Sequence, residues 1–209
     1  MVRSLPSPMI HHAHILEIVD LYAARFPERA GELEPLRALL AEETALTSRH
    51  EFRGHVTCGA VLRDAAGRVL LIHHRALDRW LTPGGHLEAV DRTLLGAAAR
   101  ELTEEVGISP HAVTVPLAWH EVPIHIDCHV IPANPKRGEP AHDHWDFRYL
   151  LQLAERAPWG VALQDEEVLG AAWREPREHS EHLATILERA DARGGREGQP
   201  YGPAHVEVE

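Results

Sequence analysis

The segment DRTLLGAAARELTEEVGI, residues 91–108, places the strongest constraint on what this chain folds into. Its apolar residues recur at the spacing of one helix face, the stripe being Leu94, Leu95, Ala98, Leu102 and Val106. Asp91 is the expected N-cap, and Gly107 is the expected C-terminal stop. The pattern predicts an amphipathic helix with well-marked ends near the middle of the chain.

Three carboxylates of this helix share one arc, because Glu101, Glu104 and Glu105 stand at i, i+3 and i+4. On the helical wheel Glu105 falls inside the apolar stripe. A desolvated carboxylate needs a partner or a raised pKa. Mg²⁺ accepts carboxylate oxygens, keeps several waters and binds phosphates. A solvated acidic face is the alternative interpretation, and the residues that precede the helix decide between the two.

Those preceding residues are WLTPGGH, positions 80–86, which the sequence predicts to be a turn between a strand and the helix. Two adjacent glycines, Gly84 and Gly85, let the backbone approach another group closely. A ligand of the glutamates would lie beside them. The combination favours metal ligands over a solvated face.

Alternating apolar residues predict a sheet on both sides of this helix. HVTCGAVL and VLLIHHR, from His55 onward, indicate a hairpin around a glycine-containing turn. HAVTVPLAWHEV, IHIDCHVI and WDFRYLLQLA indicate three later strands, and a closing helix is expected at about 178–192. Strands with an inserted helix predict an α+β fold with a mixed sheet.

Residues 1–50 form a predicted helical extension, with apolar stripes at 11–26 and about 35–46. These helices are too short for an independent domain. They are expected to cover the main domain, to build a homodimer interface or to cap the pocket, and the sequence leaves all three open. The main domain is expected at 51–193. The aperiodic residues 194–209 are expected to be a mobile tail.

Composition excludes several classes of function. A 209-residue chain with 44% hydrophobic residues buries one ordinary core. The formal net charge of −11 argues against nucleic acid as a general partner. The two cysteines, both on predicted strands, indicate buried free thiols and no disulfide framework. No apolar run suits a signal or a membrane span, so we expect no membrane partner and a cytoplasmic location.

Taken together, residues 85–108 resemble the Nudix box, G-x5-E-x7-R-E-U-x-E-E-x-G-U, where U is aliphatic. RELTEEVGI, residues 100–108, matches the second half in full. The first half departs from the pattern in two ways. Asp91 stands where the pattern has Glu, with five residues between it and Gly85, and eight residues instead of seven separate Asp91 from Arg100. Asp91 is therefore the counterpart of the first glutamate or simply the N-cap, and we favour the N-cap.

The resemblance implies an α/β/α sandwich that hydrolyses a nucleoside diphosphate linked to another moiety, with Mg²⁺, or alternatively Mn²⁺, as cofactor. By the same resemblance Glu101, Glu104 and Glu105 are metal ligands, the Gly85 carbonyl joins them, and Arg100 orients a glutamate through an ion pair. A small-molecule nucleotide is the expected partner.

Water attack on phosphorus also needs a general base. The candidates are Glu104 and Glu105 on the helix, and Glu166 and Glu167 in the later segment QDEEVLGAAW. Solvent-facing loop charges are the alternative interpretation of Glu166 and Glu167.

Other residues are candidates for binding substrate. His142 and His144, at the end of a predicted loop, are expected to contact phosphate with His86 opposite, although surface or strand-pairing histidines are as compatible with the sequence. Trp80 is a candidate for stacking on a base, and otherwise a core residue. The backbone of Gly84 is the last of the candidates for binding substrate.

Two other functions remain open. HDHWD, residues 142–146, has the HxHxD spacing of some zinc hydrolases, which makes His142, His144 and Asp146 an alternative site, although that signature normally continues with histidine where Phe147 stands. A non-catalytic nucleotide sensor is the second alternative. The retention of all three helix glutamates, and the absence of a basic helix-turn-helix pattern, count against it.

Overall fold

The computed structural model describes residues 10–154, 163 and 167–194, and the backbone of 198–200. The strands are β1 His55–Arg63, β2 Val69–His74, β3 Arg79–Leu81, β4 Gly84–His86, β5 Val113–Pro116, β6 His125–Ile131, β7 His142–Leu153, β8 Val168–Arg174 and β9 Gly198–Pro200. The α-helices are α1 His12–Arg25, α2 Glu34–Ala41, α3 Leu94–Val106, α4 Pro176–His179 and α5 Glu181–Arg193.

All nine strands belong to one sheet, in the order β3-β2-β1-β7-β5-β9. In addition β4 pairs with β1, β6 with β7, and β8 with β2. The β1–β7 pair is parallel, and the other pairings of the described strands are antiparallel, so the sheet is mixed as predicted. Every residue of β1 is buried, as expected of a strand covered on both faces.

The predicted central helix is α3, but its N-cap is Thr93 and not Asp91. The Thr93 hydroxyl accepts a hydrogen bond from the Gly96 amide at 2.9 Å, which leaves no capping role for Asp91. Gly107 ends the helix with φ 71°, a left-handed conformation that suits glycine, so that prediction is confirmed. The α3 helix packs against β1.

Other predicted elements need correction. HAVTVPLAWHEV is not one strand, because the short strand β5 lies between the 3₁₀ turns Pro110–Ala112 and Leu117–Trp119. The strand ends at Pro116, which has no amide hydrogen to continue the hydrogen bonding of the sheet. Residues 80–86 are not only a turn, because β3 and β4 form there. The β8 strand was missed, since VLGAAWR does not alternate. Cys58 is buried as predicted, but Cys128 on β6 is exposed.

The N-terminal helices pack onto the main domain and share its hydrophobic core. Tyr22 of α1 is fully buried, and Phe26 stacks on Trp119 with ring centroids 5.9 Å apart. The Val56 amide donates to the Leu46 carbonyl at 2.8 Å, which ties the extension to β1. The extension therefore covers the domain. None of the described helices is long and apolar enough to cross a membrane.

Part of the segment expected to be a mobile tail is a sheet edge, because β9 pairs antiparallel with β5. The predicted mobility of residues 195–197 and 201–209 falls outside the described residues. At the other end of the domain, α5 supplies the closing helix, and its Ser180 N-cap accepts from the Leu183 amide.

Candidate active site

The two glycines of β4 lie close to neighbouring groups, backbone at Gly84 and the Glu101 carboxylate at Gly85. A Cβ at Gly84 would lie 2.7 Å from the Cys58 carbonyl oxygen and 2.8 Å from the Gly59 Cα. A Cβ at Gly85 would lie 2.6 Å from Glu101 Oε1. Gly84 thus lets β4 approach β1, and Gly85 lets β4 approach the α3 carboxylates, which confirms the close backbone approach predicted here.

Glu105 is buried in the apolar face of α3, with 3% of its surface exposed, as the helical wheel predicts. Its Oε2 accepts a hydrogen bond from the Gly84 amide at 2.9 Å. Burial raises the pKa of Glu105 to about 8, and the negative charges of Glu101, Glu167 and Glu104 add to the rise. The Gly84 hydrogen bond opposes it only in part. The site is therefore short of positive charge around Glu105.

Arg100 connects the other carboxylates of the site. Its Nε and Nη2 donate to the two oxygens of Asp91, both at 3.0 Å, in a bidentate pair. Its Nη1 donates to Glu101 at 3.0 Å and to Glu104 at 2.8 Å. Burial alone lowers the pKa of Arg100, but the hydrogen bond of Asp91 and the three negative charges together raise it.

This network gives Asp91 a role other than the predicted N-cap. Asp91 is 5% exposed, and it also accepts the Glu88 amide at 2.7 Å. It fixes Arg100, which in turn holds Glu101 and Glu104. The additional residue between Asp91 and Arg100 does not prevent the pair from forming.

Glu101 lies between Arg100 and the glycine strand. Burial raises its pKa to about 7, against the opposing charge and hydrogen bond of Arg100. Glu101 and Glu105 thus face β4 from α3 with more negative charge than Arg100 neutralises. Hard oxygen donors in this number suit Mg²⁺ or Mn²⁺.

The structure brings one later residue to this cluster, Glu167. It is exposed directly before β8, its carbonyl accepts from the Arg75 amide at 2.8 Å, and its charge raises the pKa of Glu105. The other predicted loop glutamate, Glu166, lies outside the described residues.

Trp80 on β3 is partly buried, and its ring already contacts protein groups. It stacks on His73 with centroids 5.1 Å apart, and the Arg174 guanidinium lies 4.8 Å from the ring centre. Stacking of Trp80 on a base stays a prediction.

A small cavity of about 110 Å³ lies between the end of β3, β7 and the helices α4 and α5. Its lining residues are Leu81, Thr82, Arg148, His179, Ser180, His182 and Leu183. The sequence analysis missed Arg148, whose signal was a charged residue inside the largely apolar run FRYLLQL. Its Nε donates to Asp146 at 2.8 Å.

The histidines are not arranged as the HxHxD spacing suggests. The Asp146 carboxylate accepts hydrogen bonds from Arg148 and, at 3.3 Å, from the Thr57 hydroxyl. His142, His144 and Asp146 therefore do not form a set of zinc ligands. His142 and His144 are the first and third residues of β7, directly after the predicted loop.

The structure instead groups His144 with the predicted His86 and with His55, which the sequence analysis missed. Burial lowers the pKa of His86 to about 4 and of His144 to about 3, so both imidazoles are neutral near pH 7. Phosphate contacts from His86, His142 and His144 stay a prediction.

A mixed sheet, with the glutamates of α3 packed against the two glycines of β4, defines the class of protein as a Nudix-type domain. Residues 53–193 match the family model described as NUDIX domain, and the chain belongs to the NUDIX family. The predicted resemblance, the α+β fold and the N-terminal helical extension are thereby confirmed.

Among known proteins, phosphatase NudJ of Escherichia coli strain K12 is 48% identical over 60 residues, which are 28% of this chain and 38% of NudJ. The match thus spans about two fifths of that relative's length. A structure of C. elegans Ap4A hydrolase in a binary complex is 20% identical with a TM-score of 0.49, over 66% of this chain and 95% of that one. The E. coli dihydroneopterin triphosphate pyrophosphohydrolase is 18% identical with a TM-score of 0.48, over 66% and 94%.

Proposed function

We propose that this protein is a Mg²⁺-dependent hydrolase that cleaves the diphosphate bond of a nucleoside diphosphate linked to another moiety. The observation that carries the proposal is the burial of Glu105 with Gly84 as its hydrogen-bond donor, beside a partly buried carboxylate, Glu101, whose pKa is also raised. Such a pair is costly without a cation. Membership of the NUDIX family supports the same class of reaction.

The oxygen donors fit a hard divalent cation, with Glu101, Glu104, Glu105 and the Gly85 carbonyl as the proposed ligands. When bound, Mg²⁺ supplies electrostatic stabilisation of the charge that develops on the phosphate oxygens. Mn²⁺ accepts the same ligands.

The chain's own residues position the reaction. Arg100 holds the Glu101 and Glu104 carboxylates at 3.0 and 2.8 Å, and the Gly84 amide holds Glu105. Glu167 is the proposed general base, because it is exposed to water and lies close enough to raise the pKa of Glu105.

A Mg²⁺-dependent screen tests the proposal. Nucleoside triphosphates, nucleotide sugars, dinucleoside polyphosphates and cofactor diphosphates are incubated with the enzyme, and the products are identified by mass. We expect cleavage of a P–O–P bond in at least one class, and none after chelation. Tight binding without cleavage in all four classes would favour the nucleotide-sensor alternative.

With a substrate in hand, Glu167→Gln is expected to lower kcat by about 10²-fold or more, because a positioned base contributes at least that much. The Mg²⁺ concentration for half-maximal rate should not change. Glu178→Gln, an exposed glutamate of α4, is the matched control and should behave as the unaltered protein. An equal loss in both variants would contradict the assignment of Glu167.

A further inference from the structure

Three histidines from three strands meet on one face of the sheet. His55 opens β1 and is the register partner of His144 in the parallel β1–β7 pair. His86 ends β4 and is the register partner of Thr57, two residues after His55. Side chains two apart on a strand share a face, so His55, His86 and His144 all project to the same side. Gly85, the neighbour of His86, contacts Glu101 on the opposite face.

The imidazoles are close enough to share one ion. One ring nitrogen from each of the three lies within 4.8 Å of the others. Zn–N bonds of about 2.0–2.1 Å in tetrahedral geometry place ligand nitrogens about 3.4 Å apart. Small side-chain rotations therefore close the set around an ion.

His55 carries the clearest sign of a missing ligand. It is 1% exposed, and its Nδ1 lies 3.0 Å from the Glu51 carbonyl oxygen. That contact puts the proton on Nδ1 and leaves Nε2 with a free lone pair, and Nε2 is buried without a hydrogen-bond partner. A buried polar atom without a partner needs an explanation, and metal-binding histidines typically donate their other N–H to a carbonyl.

We propose that His55, His86 and His144 bind one divalent transition-metal ion of the zinc type, at a site separate from the α3 carboxylates. Imidazole nitrogen suits Zn²⁺ and its first-row neighbours, whereas Mg²⁺ prefers oxygen. Three protein ligands leave a fourth position for water or for a phosphate oxygen. Because His86 directly follows Gly85, this ion and the proposed Mg²⁺ would lie against the same short strand. The proposal does not depend on the proposed hydrolase activity.

Metal titration of the untagged, full-length protein tests the site. After removal of metals by chelation, we expect one Zn²⁺ to bind per chain by calorimetry, in the presence of excess Mg²⁺. Co²⁺ should give the intense visible absorption of four- or five-coordinate cobalt. His144→Ala should weaken Zn²⁺ binding by about 100-fold or more. His120→Ala, an exposed histidine elsewhere, and Glu105→Gln should bind Zn²⁺ as the unaltered protein does.

X-ray absorption of the Zn²⁺-loaded, unaltered protein gives an answer that does not depend on how a variant folds. Multiple scattering from three imidazoles is the expected result. An oxygen-only shell, the absence of tight Zn²⁺ binding, or loss of binding in Glu105→Gln with retention in His144→Ala would overturn the proposal.

Discussion

Glu105→Gln is expected to remove nearly all turnover and, at the same time, to stabilise the metal-free protein. The loss of a proposed metal ligand should lower kcat/KM by more than the roughly 10–100-fold that follows loss of a ligand's supporting partner. Glutamine keeps an oxygen for the Gly84 amide but carries no charge to desolvate, so the folded state no longer bears the cost of a buried anion.

The stability gain should depend on pH. The pKa of Glu105 is about 8 in the folded protein and about 4.3 in an unfolded chain, so between these values the folded state holds the extra proton. The free energy of unfolding therefore falls as pH rises from about 4 to 8. At pH 8 we expect Glu105→Gln to gain on the order of 2 kcal/mol, or roughly 4–8 °C in Tm, and at pH 4 almost nothing.

Thermal unfolding of the chelated protein at both pH values measures this effect. Glu178→Gln, an exposed glutamate of α4 outside the carboxylate cluster, is the control, and its Tm should match that of the unaltered protein at both pH values. A lower Tm for Glu105→Gln at pH 8, or activity equal to that of the unaltered protein, would contradict the assignment of Glu105.

Asp91→Ala is expected to have the second large effect, through Arg100. Removing one partner of a buried ion pair leaves the other charge uncompensated, at a cost of about 3–5 kcal/mol. The Arg100 side chain is 15% exposed, and Glu101 and Glu104 still contact it, so we expect a loss of roughly 1–3 kcal/mol in the free energy of unfolding. Turnover should also fall, because Arg100 no longer holds the two glutamates in place.

Chemical denaturation of Asp91→Ala beside Glu88→Ala provides the measurement and its control. The Glu88 carboxylate lies 4.0 Å from Arg100, but its side chain is 57% exposed, so its removal should cost less than about 0.5 kcal/mol. Equal stability of the two variants would show that the bidentate pair does not hold the site together.

The sequence predicts the parts of this site that are local to one helix. The periodicity of apolar residues predicts α3 and places Glu105 in its apolar stripe, because both depend only on residues a few positions apart. Periodicity does not show whether Asp91 or Thr93 caps the helix. That choice depends on which side-chain oxygen reaches a free amide of the first helical turn. Here Arg100, nine residues later, takes both oxygens of Asp91.

The remaining parts depend on strand pairing between distant segments. His55 has no special signal in HVTCGAVL, and it gains meaning only when β7 and β4 bring His144 and His86 beside it. The β8 strand lacks alternation, yet six of its seven residues pair with β2, and Leu169 is skipped at an irregularity. Such contacts follow from the sheet order, which periodicity alone does not give.

The stacking of Phe26 on Trp119 has a consequence for where this protein can be divided. Family likeness begins at residue 53, but the first two helices bury their apolar faces in the same core as the sheet. A chain cut at the edge of the likeness would expose Trp119 and the neighbouring apolar surface to water. The segment that identifies the family is thus shorter than the segment that shares one hydrophobic core.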